Sequence, residues 1–138
     1  MIEVEVTQTV TREMIRDALT HAFENESSYW AQNIEVVSRG EGDFKDGDEG
    51  YMRATWVPLT PGGVVRIQDA DEPVEEYCDE TGHYLLTHDK IVRGVKLMSS
   101  CREGRIPEHW NYFLNGDSDG YSGDLFLQFC LFGECLFS

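Results

Sequence analysis

From Gly123 to Phe132 the chain is apolar on every side, and a helix of that kind has no face to offer water. The run predicts a central, buried C-terminal helix ended by Gly133, with a buried strand as the alternative that the pattern alone leaves open. Either form has to be covered all round, so the other elements must each bring an apolar face.

Such faces are present upstream. Ile2, Val4 and Val6 alternate with Glu3, Glu5 and Thr7, the period-two pattern of a half-buried strand. Thr11 is placed to cap a helix running to about Asn25, whose Met14, Ile15, Ala18, Leu19, Ala22 and Phe23 form one stripe. Residues 34–37 read as a strand, and 39–50, rich in glycine and acid with Phe44 as its one large apolar residue, as a long loop. Residues 51–59 and 64–67 read as paired strands joined by Thr60-Pro61-Gly62-Gly63, since Pro presets φ and Gly permits positive φ. A short strand at 83–86 precedes Thr87, which can cap a helix with Ile91, Val95 and Met98 on one face. Pro107 opens another helix carrying Trp110, Phe113 and Leu114, which Gly116 ends. Together these elements predict an α+β fold in one domain over 1–138: a small antiparallel sheet, from the N-terminal strand plus a central hairpin, packed with about four helices.

Charge and cysteine usage narrow the setting. With 26 acidic residues against 11 basic ones the formal charge is −15, which repels phosphate backbones and anionic lipid at long range. Direct nucleic-acid or membrane binding is therefore not expected. Met1-Ile2-Glu3-Val4-Glu5 has neither the basic nor the apolar region of a signal peptide, and no run approaches membrane-spanning length. Cys78, Cys101, Cys130 and Cys135 form no C-x-x-C pair, and buried free thiols of a reducing cytoplasm are expected.

Motifs for chemistry are sparse. His21, His83, His88 and His109 lack metal-ligand spacing, and Asp117-Ser118-Asp119-Gly120 begins like a calcium loop but departs from it at Tyr121, Ser122 and Gln128. A solvated turn capping the last helix accounts for it better, so neither a metal nor a cofactor is expected. Nucleophile elbow, P-loop and dinucleotide fingerprints are absent.

Two features carry more information. No Lys or Arg stands between Ile67 and Asp89, while Asp69, Asp71, Glu72, Glu75, Glu76, Asp79 and Glu80 crowd one stretch, and Glu41, Asp43, Asp46, Asp48 and Glu49 add a second acidic run. Such a field solubilises, and it also suits docking onto a basic partner. Carboxylates on one strand face repeat at about 6.6 Å and phosphates at about 3.4 Å of rise, so two staggered rows approximate a nucleic-acid backbone. The second feature is Tyr29-Trp30. Large aromatics are usually core, but with Glu24, Asp124 and Gln128 as polar neighbours, and Arg93 or Lys96 for charge, they suit a pocket that stacks a base and reads its edge.

Ala22-Phe23-Glu24 with Ser28-Tyr29-Trp30, Pro61-Gly62-Gly63, Arg93-Gly94-Val95-Lys96-Leu97-Met98, Pro107-Glu108-His109-Trp110 and the closing Ser122-Gly123-Asp124-Leu125-Phe126-Leu127-Gln128 into Cys130-Leu131-Phe132-Gly133-Glu134 succeed one another along the chain. In this order they resemble an uncharacterised family of small phage and prophage proteins. The chain departs from that pattern at Asn25-Glu26, where the family has Gly-Gly, and at Ser138, where it has Gly. The resemblance implies a phage accessory protein working in the cytoplasm of an infected bacterium, and it brings no catalytic residues. Accessory proteins of this kind often inhibit host defence, an association by gene class.

Three functions emerge as expectations. The leading one is a non-enzymatic counter-defence protein, an anti-CRISPR-like or related inhibitor, whose acidic face binds a basic, nucleic-acid-handling host complex. The second is a sponge that sequesters a nucleotide immune signal through the aromatic pocket. The third is a small enzyme using Asp124, His109 or Glu24 as acid–base groups, with no reaction named. A homo-oligomer is compatible with each.

Overall fold

The computed structural model describes residues 8–27, 29–40 and 51–137. Helix α1 (Arg12–His21) starts as the sequence predicts, with the Thr11 hydroxyl accepting from Met14 N at 3.2 Å. Its last carbonyls feed a π turn, Ala22–Glu26, in which Ser27 N reaches back to Ala22 O at 3.0 Å. Widening the helix by one residue in this way re-aims the chain beyond it. Here it brings Ser27, Tyr29 and Trp30 up against the centre of the molecule.

Strand β1 (Ala31–Arg39), β2 (Gly63–Asp69) and β3 (His83–Thr87) form an antiparallel sheet in the order β1-β2-β3. The β1–β2 register breaks between Gln32 and Glu35 and again between Val36 and Ser38. Asn33, at φ 48°, sits in the first break and donates to Gln68 Oε1 at 2.6 Å; Asn tolerates the left-handed region better than most residues. β2 lies in the middle and alternates, with Val65 and Ile67 fully buried. Tyr84 and Leu86 of β3 continue the same inner face.

The expected strand over 51–59 is helical. Helix α2 (Tyr51–Trp56) runs into a 3₁₀ turn at Val57–Leu59, with Pro58 in its first turn. From Ala54 to Thr60 every residue except the half-buried Trp56 is buried, so the stretch is covered on nearly all sides. The Pro61-Gly62-Gly63 turn exists as read, but it leaves a helix and enters β2. A Cβ on Gly63 would lie 1.9 Å from Val57 O, so only glycine allows this approach. β2 takes its partners from β1 and β3 instead. The expected strand over residues 2–6 and most of the 39–50 loop lie outside the described residues.

Helix α3 (His88–Ser100) comes directly after β3, capped by Thr87; α4 (Ile106–Leu114) opens on Pro107, and Gly116 stands just past its end at φ 70°. Helix α5 (Gly120–Phe132) is the central element. Every residue from Ser122 to Phe132 is buried, Asp119 caps its start through Ser122 N at 2.8 Å, and Gly133 ends it in the left-handed region. It touches α1, α3, α4, the π turn and β3. Two glycines set how closely it packs: a Cβ on Gly123 would meet Ala18 O at 2.3 Å, and one on Gly94 of α3 would meet Cys130 Sγ at 2.3 Å.

The result is an α+β protein with a three-stranded antiparallel sheet and five α-helices among the described residues. No helix among them is long and apolar enough to cross a membrane. All four cysteines are free, but only Cys130 is buried; Cys78 and Cys101 are half-buried and Cys135 is exposed, which corrects the expectation of four core thiols. Cys130 lies on α5 and Cys135 comes after it.

Candidate functional site

The two regions singled out by sequence are built differently. The first is the connection between β2 and β3. Its start is fixed by Asp69, which continues the inward alternation of β2 and is 7% exposed. The Asp69 carboxylate accepts from Tyr84 Oη at 2.5 Å and from Asp71 N at 2.9 Å, while the same phenol oxygen accepts from Val74 N at 2.9 Å. Burial, then the bond to Asp69, pushes the Tyr84 phenol far above its ordinary range. The phenol therefore stays protonated and keeps its role as donor.

The far end is fixed by Asp79. Its Oδ1 accepts from Thr81 Oγ1 at 2.7 Å, Thr81 N at 2.9 Å and His83 N at 3.0 Å, and its own N–H bonds His83 O at 2.8 Å. Those bonds, the Thr81 hydroxyl first, hold its carboxyl below the usual carboxylate range. Between the two ends, Tyr77 packs its ring against Phe132 of α5 at 5.3 Å.

Of the acidic residues expected to form one face, Asp69 and Asp79 are thus inside the scaffold of the connection. Asp71, Glu72, Glu75, Glu76 and Glu80 are exposed on it. Glu41, Asp43, Asp46, Asp48 and Glu49 lie outside the described residues.

The second region is centred on Asp124, 3% exposed on α5. Its Oδ1 accepts from Ser27 Oγ at 2.7 Å and Trp30 Nε1 at 2.8 Å; its Oδ2 accepts from Tyr29 Oη at 2.8 Å and Gln128 Nε2 at 3.1 Å. Four donors occupy the carboxylate's lone pairs, which offsets the cost of burying an acid. Burial, then the bond to Asp124, raises the Tyr29 phenol well above its ordinary range.

The sequence groups Tyr29, Trp30, Asp124 and Gln128, and the fold does bring them together. Their expected use is a different matter. Trp30 is 2% exposed, and Phe137 stacks on it at 5.1 Å and 17°. Gln128 is fully buried and reads an edge, but the edge is backbone: its Oε1 accepts from Leu136 N and Phe137 N at 2.8 Å each, and its Nε2 donates to Phe137 O at 3.1 Å. The segment after α5 thus fills the place in which a base was expected. Glu24 is exposed on the π turn. Arg93 donates to Cys130 O at 2.5 Å, a cation at the last turn of α5, and Lys96 lies further along α3. Neither makes a hydrogen bond to the Asp124 cluster.

A further buried polar group joins α4 to the start of α5, a pairing that the sequence reading missed. His109 of α4, 4% exposed, meets Ser122 Oγ through Nδ1 at 2.8 Å, and its ring lies 4.7 Å from that of Tyr121. Ser122 also bonds Asp119; burial would raise that carboxyl, but the bonds from Ser122 outweigh it and hold it low. The Asp119-x-x-Ser122 spacing of an N-cap was the available signal. Among the described residues no group of His, Cys, Asp and Glu is arranged to hold a metal ion.

Comparison with models of protein families, with curated proteins and with solved structures finds no match to this chain.

Proposed function

We propose that the protein is a non-enzymatic inhibitor of the counter-defence kind, acting in the bacterial cytoplasm, whose acidic β2–β3 connection docks on a basic, nucleic-acid-handling host complex and blocks access of its substrate. The observation that carries this reading is the pairing of exposed charge with fixed backbone. Asp71, Glu72, Glu75, Glu76 and Glu80 are exposed, and the ion pairs among the described residues involve none of them. Meanwhile Tyr84 and Asp79 pin the backbone that bears them. Charge that only solubilises has no need of an ordered support. A preorganised row loses less conformational entropy on docking and presents its potential in one arrangement. The phage setting rests on the resemblance carried by the Ser28-Tyr29-Trp30, Pro107-Glu108-His109-Trp110 and Ser122–Gln128 motifs.

The test uses phage challenge of bacteria that carry nucleic-acid-targeting defence systems. Expression of the protein should raise plaque formation on at least one such host. The combined change of Asp71 to Asn and of Glu72, Glu75, Glu76 and Glu80 to Gln should remove that effect while leaving thermal unfolding unchanged. Full protection by the neutralised variant would overturn the reading.

A further inference from the structure

Between α1 and α3 lies a cavity of about 300 Å³ with an aliphatic lining that includes Ile15, Leu59 and Ile91. Among the described residues, the ionisable ones that line it are Arg12, His88 and Lys96, and no carboxylate does. In a chain with 26 acidic and 11 basic residues this is a reversal of the prevailing sign. Other bases are engaged: Arg66 pairs with Glu35, Arg105 with Glu108, and Lys90 and Arg93 bond backbone carbonyls. The ion pairs among the described residues include none of the three basic groups at this cavity.

Their positions sharpen the point. Arg12 is the first residue of α1 and His88 the first of α3. A cation such as Arg12 at a helix N-terminus opposes the helix dipole, so for folding alone that site favours an acid. Two helix starts, each with a base in place, meet at one cavity, and the first-turn acids Glu13 and Asp89 are not among its lining. Helix starts and bases together attract an anion. The volume is at the lower end of that of small-molecule pockets, and among the described residues the lining carries no aromatic ring on which a base would stack.

We propose that this cavity binds a small amphipathic anion: an aliphatic chain of medium length against Ile15, Leu59 and Ile91, with a carboxylate or phosphate head held by Arg12, His88 and Lys96. The site is separate from the acidic connection and does not depend on the function proposed for it.

The experiment titrates the intact protein with decanoate, decyl phosphate and decanol, following backbone amide resonances by NMR. Both anions should shift signals of 12–15 and 88–96 in a saturable manner, at least tenfold more tightly than decanol. The ratio of the two anion affinities identifies the head group. Lys96→Glu should weaken the anions at least tenfold and leave decanol unchanged; Val95→Trp, which fills the cavity, should abolish all three. Equal affinity for decanol and the anions, shifts centred elsewhere, or no saturable shift in the unmodified protein would each overturn the proposal. Since that last measurement needs no variant, a variant that fails to fold does not shelter it.

Discussion

Gln128 holds Phe137 by both sides of one residue's backbone: its amide nitrogen donates to Phe137 O at 3.1 Å and its amide oxygen accepts from Phe137 N at 2.8 Å. The oxygen also takes Leu136 N, and the nitrogen also serves Asp124, so one fully buried side chain ties the segment after α5 to the acid at the centre of the cluster.

Gln128→Ala leaves the tail amides and one acceptor position of Asp124 without partners. At about 1–3 kcal/mol for a buried group left unpaired, the expected loss is about 2–4 kcal/mol in urea unfolding. Hydrogen exchange at Leu136 and Phe137 should rise to the rate of free chain. Unchanged protection there would show that ring packing alone holds the tail.

Tyr84→Phe removes the hydroxyl that joins Asp69 to Val74 N and alters no charge. The expected cost is about 1.5–3 kcal/mol. Exchange over residues 70–78 should accelerate, and the counter-defence effect should fall although every exposed carboxylate remains. A variant with a loosened connection and full activity would separate the charge from its ordering.

Gly94→Ala places a Cβ 2.3 Å from Cys130 Sγ and 2.9 Å from Cys130 Cα. The helices have to separate, at a cost of about 1–3 kcal/mol for overpacking. Adding Cys130→Ala removes the sulfur and leaves the backbone contact, so the double variant should recover only part of the loss. Thermal unfolding of the two single variants and the double one measures this.

Glu108 gives a prediction about pH. Its hydrogen bond from Arg105, then that from Tyr112, lowers its carboxyl from 4.5 to about 2. A folded-state value below the unfolded one gives stability that is present above about 4.5 and lost as the pH falls towards 2. Glu108→Gln should therefore flatten the pH dependence of the unfolding temperature within that window and leave its shape unchanged above it. The side chain is on the surface, so added salt should shrink the difference.

Local signals were legible because their partners are near in sequence. Thr11, Thr87 and Gly133 act within four residues of their own position, and α1, α3 and α5 begin or end where they predict. The turn at Pro61-Gly62-Gly63 was equally clear, but such a turn looks the same after a helix as after a strand, and 51–59 was misread for that reason. The grouping of Tyr29, Trp30, Asp124 and Gln128 was visible because polar residues four apart in an apolar helix need donors and acceptors. That Phe137 would occupy the group was not, since no periodicity links residue 137 to residue 30. A charge count treats Asp69 like its neighbours; its place after Val65 and Ile67 in a period-two series marks it as inward-facing.

The Asp124 cluster also bears on how the chain reaches its fold. Ser27, Tyr29 and Trp30 stand 97, 95 and 94 residues from the acid they serve. Closing loops of that length comes late in folding, because their entropy is lost before the contacts they enable can offset it. Until those donors arrive, docking α5 would carry the Asp124 carboxyl group into an apolar environment with one donor, Gln128, beside it. Docking of α5 and arrival of the 27–30 segment are therefore expected as a single late step, and removing any one of the three distant donors should speed unfolding more than it slows refolding.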